Sequence, residues 1–230
     1  MSARDVQLSI IEGMDRPVGP ILPSVFQGTN ADLIAAVAPL YLTGSVLDVT
    51  YGNGKTAGGW WKRFTPDPFT FHDIDPDYGG VDFRCQPHAD GSFDTVCFDP
   101  PYVPAGGQRT TGPTAGEVDF RKRFGLMGTR TLAELNALIC DGLTECARVT
   151  RGYLLVKCSD FVTGSKFTLG HLTVLDHARS LGLDCHDLIV HHTGSGPGGH
   201  NITTVKRARR HHSYLLVFTP SPLSLMGAGS

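Results

Sequence analysis

Phe93-Asp94-Thr95-Val96-Cys97-Phe98-Asp99-Pro100-Pro101-Tyr102 is the stretch on which the reading of the fold turns. Its first six residues form an apolar run, the pattern of a buried strand. An acid, two prolines and an aromatic then arrive together. The prolines lack N–H groups and fix their own φ, so the turn is stiff and its carbonyls point in set directions. In an open α/β sheet, ligands bind at the carboxyl ends of the strands. Asp99 brings a carboxylate to that end, and Tyr102 a flat face with a polar tip. The combination suits gripping a planar group that carries an amino function. A plain strand-ending Pro-Pro turn is the competing reading, and the surrounding chain decides between them.

Upstream, Ser45-Val46-Leu47-Asp48-Val49-Thr50 reads as a short apolar strand followed by Tyr51-Gly52-Asn53-Gly54-Lys55-Thr56. The Gly-Lys-Thr ending is that of a nucleoside-triphosphate loop, but that motif needs glycine where this chain has Val49, so it is rejected. Gly52 and Gly54 match the loose dinucleotide spacing, and glycines after a strand also let backbone approach a ligand closely. Thr70-Phe71-His72-Asp73-Ile74-Asp75 reads as the next strand, placing two carboxylates, Asp73 and Asp75, where a ribose could be held, about 20 residues past the glycines. Asp75-Pro76-Asp77 is also turn chemistry. Val81-Asp82-Phe83 reads as a third short strand end. Before all of these, Thr29 or Asn30 caps a helix whose face carries Leu33, Ile34 and Val37, with Pro39 and Gly44 bracketing its exit.

Downstream, residues 103–130 hold six glycines, two prolines and five basic residues, a long connection that reads as a flexible, substrate-contacting loop. Thr131-Leu132-Ala133-Glu134 is a capping box opening a helix with a stripe of Leu132, Leu135, Leu138, Ile139, Leu143 and Cys146. A strand at 153–157, a helix at 171–181, a strand near 187–190 and a last strand at 213–218 follow. Lys206, Arg207, Arg209 and Arg210 form the sharpest charge cluster, on the loop between the final two strands. Strands alternating with helices imply a parallel sheet, and a final pair joined without a helix implies an antiparallel hairpin strand.

The bulk composition sets bounds. With 230 residues, 40% hydrophobic and 18% charged, the chain can bury one substantial core. A formal net charge of -2 means that any nucleic-acid contact must come from a local patch. The six cysteines show no Cys-x-x-Cys pairing and read as small buried thiols in a reducing, cytoplasmic setting. No Cys/His spacing fits a metal site, and no apolar run approaches the ~18 residues of a membrane span.

Together these motifs resemble the S-adenosylmethionine-dependent DNA amino-methyltransferases, the adenine-N6/cytosine-N4 family of Asp-Pro-Pro-Tyr type. The resemblance covers about residues 26–219, between an irregular lead-in (1–25) and a frayed tail (220–230). It implies an α/β, Rossmann-like methyltransferase fold: a seven-stranded, mostly parallel sheet with an antiparallel C-terminal hairpin strand. It implies S-adenosyl-L-methionine as cofactor, with Asp48, Thr50, Tyr51, Gly52 and Gly54 in its first motif, Asp73 and Ile74 at the ribose acid, and Asp82 and Phe83 at the adenine. Thr29 and Asn30 open the family's cofactor-side helix. It implies Asp99, Pro100, Pro101 and Tyr102 as the catalytic motif, and the basic loop at 193–212 as the substrate-side hairpin gripping double-stranded DNA with the target base flipped out.

The expected activity is therefore transfer of methyl to the N6 amino group of adenine, with Asp99 as a hydrogen-bond acceptor of depressed pKa. Cytosine-N4 or RNA-base transfer are alternatives, as is a non-catalytic cofactor- or nucleic-acid-binding subunit. The family's enzymes of this motif order usually carry a separate recognition domain, which this sequence does not show after Phe218.

Overall fold

The computed structural model describes residues 21–52, 54–55, 59–101, 131–163, 166–194, 208 and 210–221. The expected α/β class is borne out. The elements run β1 (Val25–Gln27), α1 (Asn30–Tyr41), β2 (Val46–Asp48), β3 (Phe69–Phe71), β4 (Phe93–Phe98), α2 (Leu132–Val149), β5 (Thr150–Cys158), β6 (Phe161–Thr163), β7 (Lys166–Thr168), α3 (Gly170–Ser180), β8 (Leu183–His192) and β9 (His212–Pro220). Short 3-10 turns stand at Trp60–Lys62 and Pro76–Tyr78. Seven strands form one sheet in the order β1-β8-β9-β5-β4-β2-β3. All neighbours pair in parallel except β9, which is antiparallel to both β5 and β8. β6 and β7 form a separate hairpin that the sequence reading does not anticipate.

Chain direction within the sheet matters more than strand count. From β2 the chain crosses outward to β3, whereas from β4 it crosses the other way, to β5. The crevice between the carboxyl ends of β2 and β4 is thus a topological switch point, where open α/β sheets bind ligands.

Side chains alternate across the sheet with period two. Val96, Phe98, Leu154, Val156, Leu216 and Phe218 face α2 and α3. Cys97, Leu155, Leu215 and Val217 face α1 and the pair Trp60–Trp61. Both helix caps are as read: Thr29 bonds Asp32, and Thr131 bonds Glu134, each a reciprocal capping box. The α2 stripe of Leu135, Leu138, Ile139, Leu143 and Cys146 is buried. Gly142 sits in that stripe because a Cβ there would lie 2.5 Å from Phe83 and 2.7 Å from Phe98. The glycine lets α2 press on both rings, and Phe83 in turn lines the switch-point crevice.

Two local expectations are corrected. Residues 81–83 form no strand, because Asp82 turns back: its carboxylate takes the Arg84 N–H at 2.9 Å, and its carbonyl takes the Cys85 N–H at 2.9 Å. The seventh strand is instead β1, which begins at Val25, the last residue of the expected irregular lead-in, and pairs with β8. Strand β3 stops at Phe71, since Asp73 and Asp75 use their carboxylates to cap turns. Helix α1 ends at Tyr41, between Pro39 and Gly44 as read, closing with Leu42 N–H to the Ala38 carbonyl. Cys97, Cys146 and Cys158 are buried as expected, while Cys85 and Cys185 are exposed. No helix among the described residues is long and apolar enough to cross a membrane.

Candidate active site

A cavity of about 230 Å³ opens at the switch point. Thr50 and Gly52, after β2, form one wall. Asp73, Ile74, Asp75 and Tyr78, after β3, form a second, with Phe83 beside them. Asp99 and Pro101, after β4, close the third. One cavity therefore brings together the glycine turn, the acids after β3, and Asp99 and Pro101 of the Asp-Pro-Pro-Tyr stretch.

Local chemistry builds each wall. Gly52 has φ +53, a left-handed conformation that an L side chain strains to adopt. There its N–H donates to Asp73 Oδ2 at 2.8 Å, while Asp73 Oδ1 accepts from the Asp75 N–H at 2.9 Å. A single carboxylate thus clamps the glycine turn to the segment after β3. Thr50 does the same between β2 and β4. Its N–H donates to Asp48 Oδ1 at 2.8 Å, and its Oγ1 accepts the Asp99 N–H at 2.8 Å.

Asp99 itself is held by Trp60, whose indole Nε1–H donates to Asp99 Oδ2 at 2.9 Å. Burial pushes the Asp99 carboxyl up from its ordinary range, opposed by the charge of Lys157 and by the Trp60 bond. The expectation of a depressed Asp99 is thereby overturned. Desolvation outweighs the favourable partners, as it does for carboxylates taken out of water.

The next residue, Trp61, serves the other acid. Its Nε1–H donates to Asp48 Oδ2 at 2.5 Å. Asp48 is 4% exposed and lies behind the cavity wall. Burial is the largest influence on its carboxyl and pushes it up to about 7, against the Trp61 and Thr50 bonds. Consecutive tryptophans thus fasten the acids at the ends of β2 and β4.

The remaining sequence-derived residues stand as follows. Thr50, Gly52, Asp73, Ile74, Phe83, Asp99 and Pro101 line the cavity. Pro100 is buried and turns toward Ser159 and Gly170 in a small apolar crevice beside α3. Tyr51 stacks on Phe71, ring centroids 4.2 Å apart, outside the cavity lining. Gly54 lies against Trp61, its carbonyl accepting the Trp61 N–H at 2.8 Å. The Asp82 carboxylate is bound by Arg84 at 2.6 Å and faces away, toward Asp141 and Glu145. Thr29 caps α1, and Asn30 accepts from Lys157 Nζ at 2.6 Å. Arg210 has its guanidinium 4.5 Å from the centroid of the Phe167 ring, a cation–π contact. Tyr102, Lys206, Arg207, Arg209 and the loop at 103–130 lie outside the described residues.

Sequence reasoning misses Trp60, Trp61, Tyr78 and Lys157. A signal existed for some of them. The chain has two tryptophans in all, placed together within a dozen residues of the glycine turn. Lys157 is a lone charge at the end of the apolar run Tyr153-Leu154-Leu155-Val156.

No protein-family model matches the chain, and no curated protein matches it. It is similar to several solved structures. One is a Thermus thermophilus protein proposed to be a DNA modification methylase, complexed with S-adenosyl-L-methionine: 16% identity, TM-score 0.36, covering 59% of this chain and 48% of that one. The chain thus spans about half the length of that relative. A Methanosarcina mazei S-adenosylmethionine-dependent methyltransferase is 10% identical with TM-score 0.38, covering 79% of this chain and 95% of that one. A 4+2 cyclase is 12% identical with TM-score 0.48, covering 94% and 93%. At such identities and scores, the reading of function rests on the site itself.

Proposed function

We propose that the chain is an S-adenosylmethionine-dependent methyltransferase acting on the exocyclic N6 amino group of adenine in DNA. The observation that carries this reading is the single cavity shared by the Gly52–Asp73 clamp and Asp99. The residues around it fit the cofactor. Asp73 and Asp75 offer carboxylates to ribose hydroxyls, Ile74 and Phe83 offer apolar surface to a purine, and the turn at Gly52 presents backbone without a side chain. Bound there, S-adenosylmethionine supplies a methyl group already activated by its sulfonium.

What the protein adds is position and electrostatics. An aromatic amino nitrogen is a poor nucleophile because its lone pair is delocalised into the ring. Asp99 Oδ and the Pro100 carbonyl each accept one amino hydrogen, which favours a pyramidal nitrogen with its lone pair free to attack. The Trp60 indole and the Thr50 hydroxyl fix Asp99 at the side chain and the backbone. The nitrogen would form its bond to the methyl carbon as the carbon–sulfur bond of the sulfonium breaks and a neutral thioether leaves, and its proton would pass to water afterwards, when methylation has made it far more acidic. In this reading Tyr102 stacks on the flipped base, and Lys206, Arg207, Arg209 and Arg210 meet phosphates, with an affinity that falls as salt rises.

The direct test offers labelled cofactor to DNA, RNA and protein in parallel and identifies the methylated nucleoside by mass. N6-methyladenine in DNA is the expected product. N4-methylcytosine, or label confined to RNA or protein, would overturn the substrate assignment while leaving the methyltransferase reading intact. Asp73→Ala checks the cofactor site separately. It removes two carboxylate hydrogen bonds, to Gly52 and Asp75, and any bond to the ribose. Bonds to charged groups are worth about 1.5–3 kcal/mol, so cofactor affinity by calorimetry should fall ~10–100-fold. The rate at saturating cofactor should change far less. Unchanged affinity would remove Asp73 from the cofactor site.

A further inference from the structure

We propose that Lys157 is the buried counter-charge that keeps Asp99 ionised, an ammonium fixed by Asn30 of α1 and set beside Asp99 at the ends of neighbouring strands. This deepens the reading above and rests on Asp99 being a hydrogen-bond acceptor. β4 and β5 run parallel, and their last registered pair is Phe98 with Val156. One residue further along each strand stand Asp99 and Lys157. Both continue the alternation of Cys97 and Leu155, which faces α1 and the tryptophan pair. Lys157 is 2% exposed, and its Nζ donates to Asn30 Oδ1 at 2.6 Å.

That placement is costly unless an anion lies nearby. Asn30 is the first residue of α1, so the ammonium sits at the positive end of a helix as well as out of water. The charged and titratable groups around it can be taken in turn. Asp32, on α1, is bound by Thr29 and by Arg63 at 2.6 Å. Asp48, on β2, already accepts from Trp61 and Thr50. His191, on β8, brings no negative charge; its Nε2 lies 2.9 Å from the Gly28 carbonyl. Cys158, next in the chain, is held as a thiol by its burial. Asp160, three residues past Lys157, is taken by His171 at 2.6 Å and by the Tyr214 hydroxyl at 3.2 Å. Asp99 is the acid left to balance Lys157. Desolvation pushes the Asp99 carboxyl up and the Lys157 amine down, and the charge of each opposes the shift of the other. A protonated Asp99 would lose much of its capacity to accept an amino hydrogen, so Lys157 acts as a positioning and charge-setting residue without touching substrate.

The test reads Asp99 directly. Protein labelled with carboxyl carbon-13 aspartate is titrated by NMR, with the Asp99 resonance assigned through Asp99→Asn. In Lys157→Met and Lys157→Gln the Asp99 midpoint should rise by about one pH unit or more, the size of shift an adjacent opposite charge produces. Glutamine keeps a polar group for Asn30, and Asp99 can take up a proton when its partner is lost, so both variants should fold; melting curves check that they do. The acid limb of the turnover–pH profile should move up with the midpoint, with cofactor affinity within about threefold of wild type. An Asp99 midpoint that stays put in either folded variant overturns the proposal. If the wild-type protein transfers no methyl to nucleic acid, the functional reading fails, and the NMR titration still decides the role of Lys157.

Discussion

Asp99→Ala is expected to lower methyl transfer to DNA at least about 10³-fold at saturating cofactor, a loss of about 4 kcal/mol of transition-state stabilisation. In the proposed mechanism the carboxylate is the acceptor that localises the nucleophile's lone pair, and water cannot replace it with fixed geometry. Cofactor affinity should stay within about threefold, because the Gly52–Asp73 clamp does not depend on Asp99. The alanine variant also takes an acceptor from Trp60 and strands the buried Lys157, so its folding must be measured by thermal melting. Asp99→Asn is the companion. It keeps an oxygen for the Trp60 indole but turns an amide NH₂ toward the substrate amino group, so its activity should fall about as far as that of the alanine variant. If folded alanine and asparagine variants both turn over at wild-type rates, Asp99 is a structural strand cap and the mechanism is wrong.

The second large effect concerns stability. Asp48 is raised from 3.8 to about 7 in the folded protein, chiefly by burial. Between those values the unfolded chain has lost the proton that the folded state still holds. Stability therefore falls as pH rises through this window and levels off above about 7, a span of order 4 kcal/mol for this group. Below pH 4 both states are protonated and the penalty vanishes. Asp48→Asn removes the titration at the cost of facing one of its two N–H donors with an amide NH₂, about 1–3 kcal/mol at any pH. Denaturant unfolding of wild type and variant from pH 4 to pH 8 should thus show the variant less stable in acid and gaining on wild type by several kcal/mol as pH rises. A constant difference across that range would mean that Asp48 titrates like an exposed acid.

Much of the framework was legible from local pattern. The run Phe93–Phe98 is apolar on both faces, and only a strand with cover on each side suits it. The helices announced themselves through reciprocal caps at Thr29/Asp32 and Thr131/Glu134, where side chain and backbone lie within one turn of each other. Residues 81–83 misled because three residues of strand-like composition weigh little against one aspartate able to bond the next turn's N–H. The same competition shortened β3 at Asp73.

By itself, the sequence determined the longer helices and strands and which acids follow them, because strand period, caps and proline turns act over a few residues. It placed Thr50, Gly52, Asp73 and Asp99 at one edge of one sheet. Only the tertiary structure decided which of those acids face the cavity and which are consumed in holding it. Asp48 and Asp82 look alike in sequence to Asp73 and Asp99, yet Trp61 takes the one and Arg84 the other. Trp60 meets Asp99 across 39 residues, and Lys157 meets Asn30 across 127. Contacts at such separations leave no periodic trace in the chain. They arise when β2, β4 and β5 come side by side under α1, bringing indoles, ammonium and carboxylates out of water together, where an unpaired charge is too costly to keep.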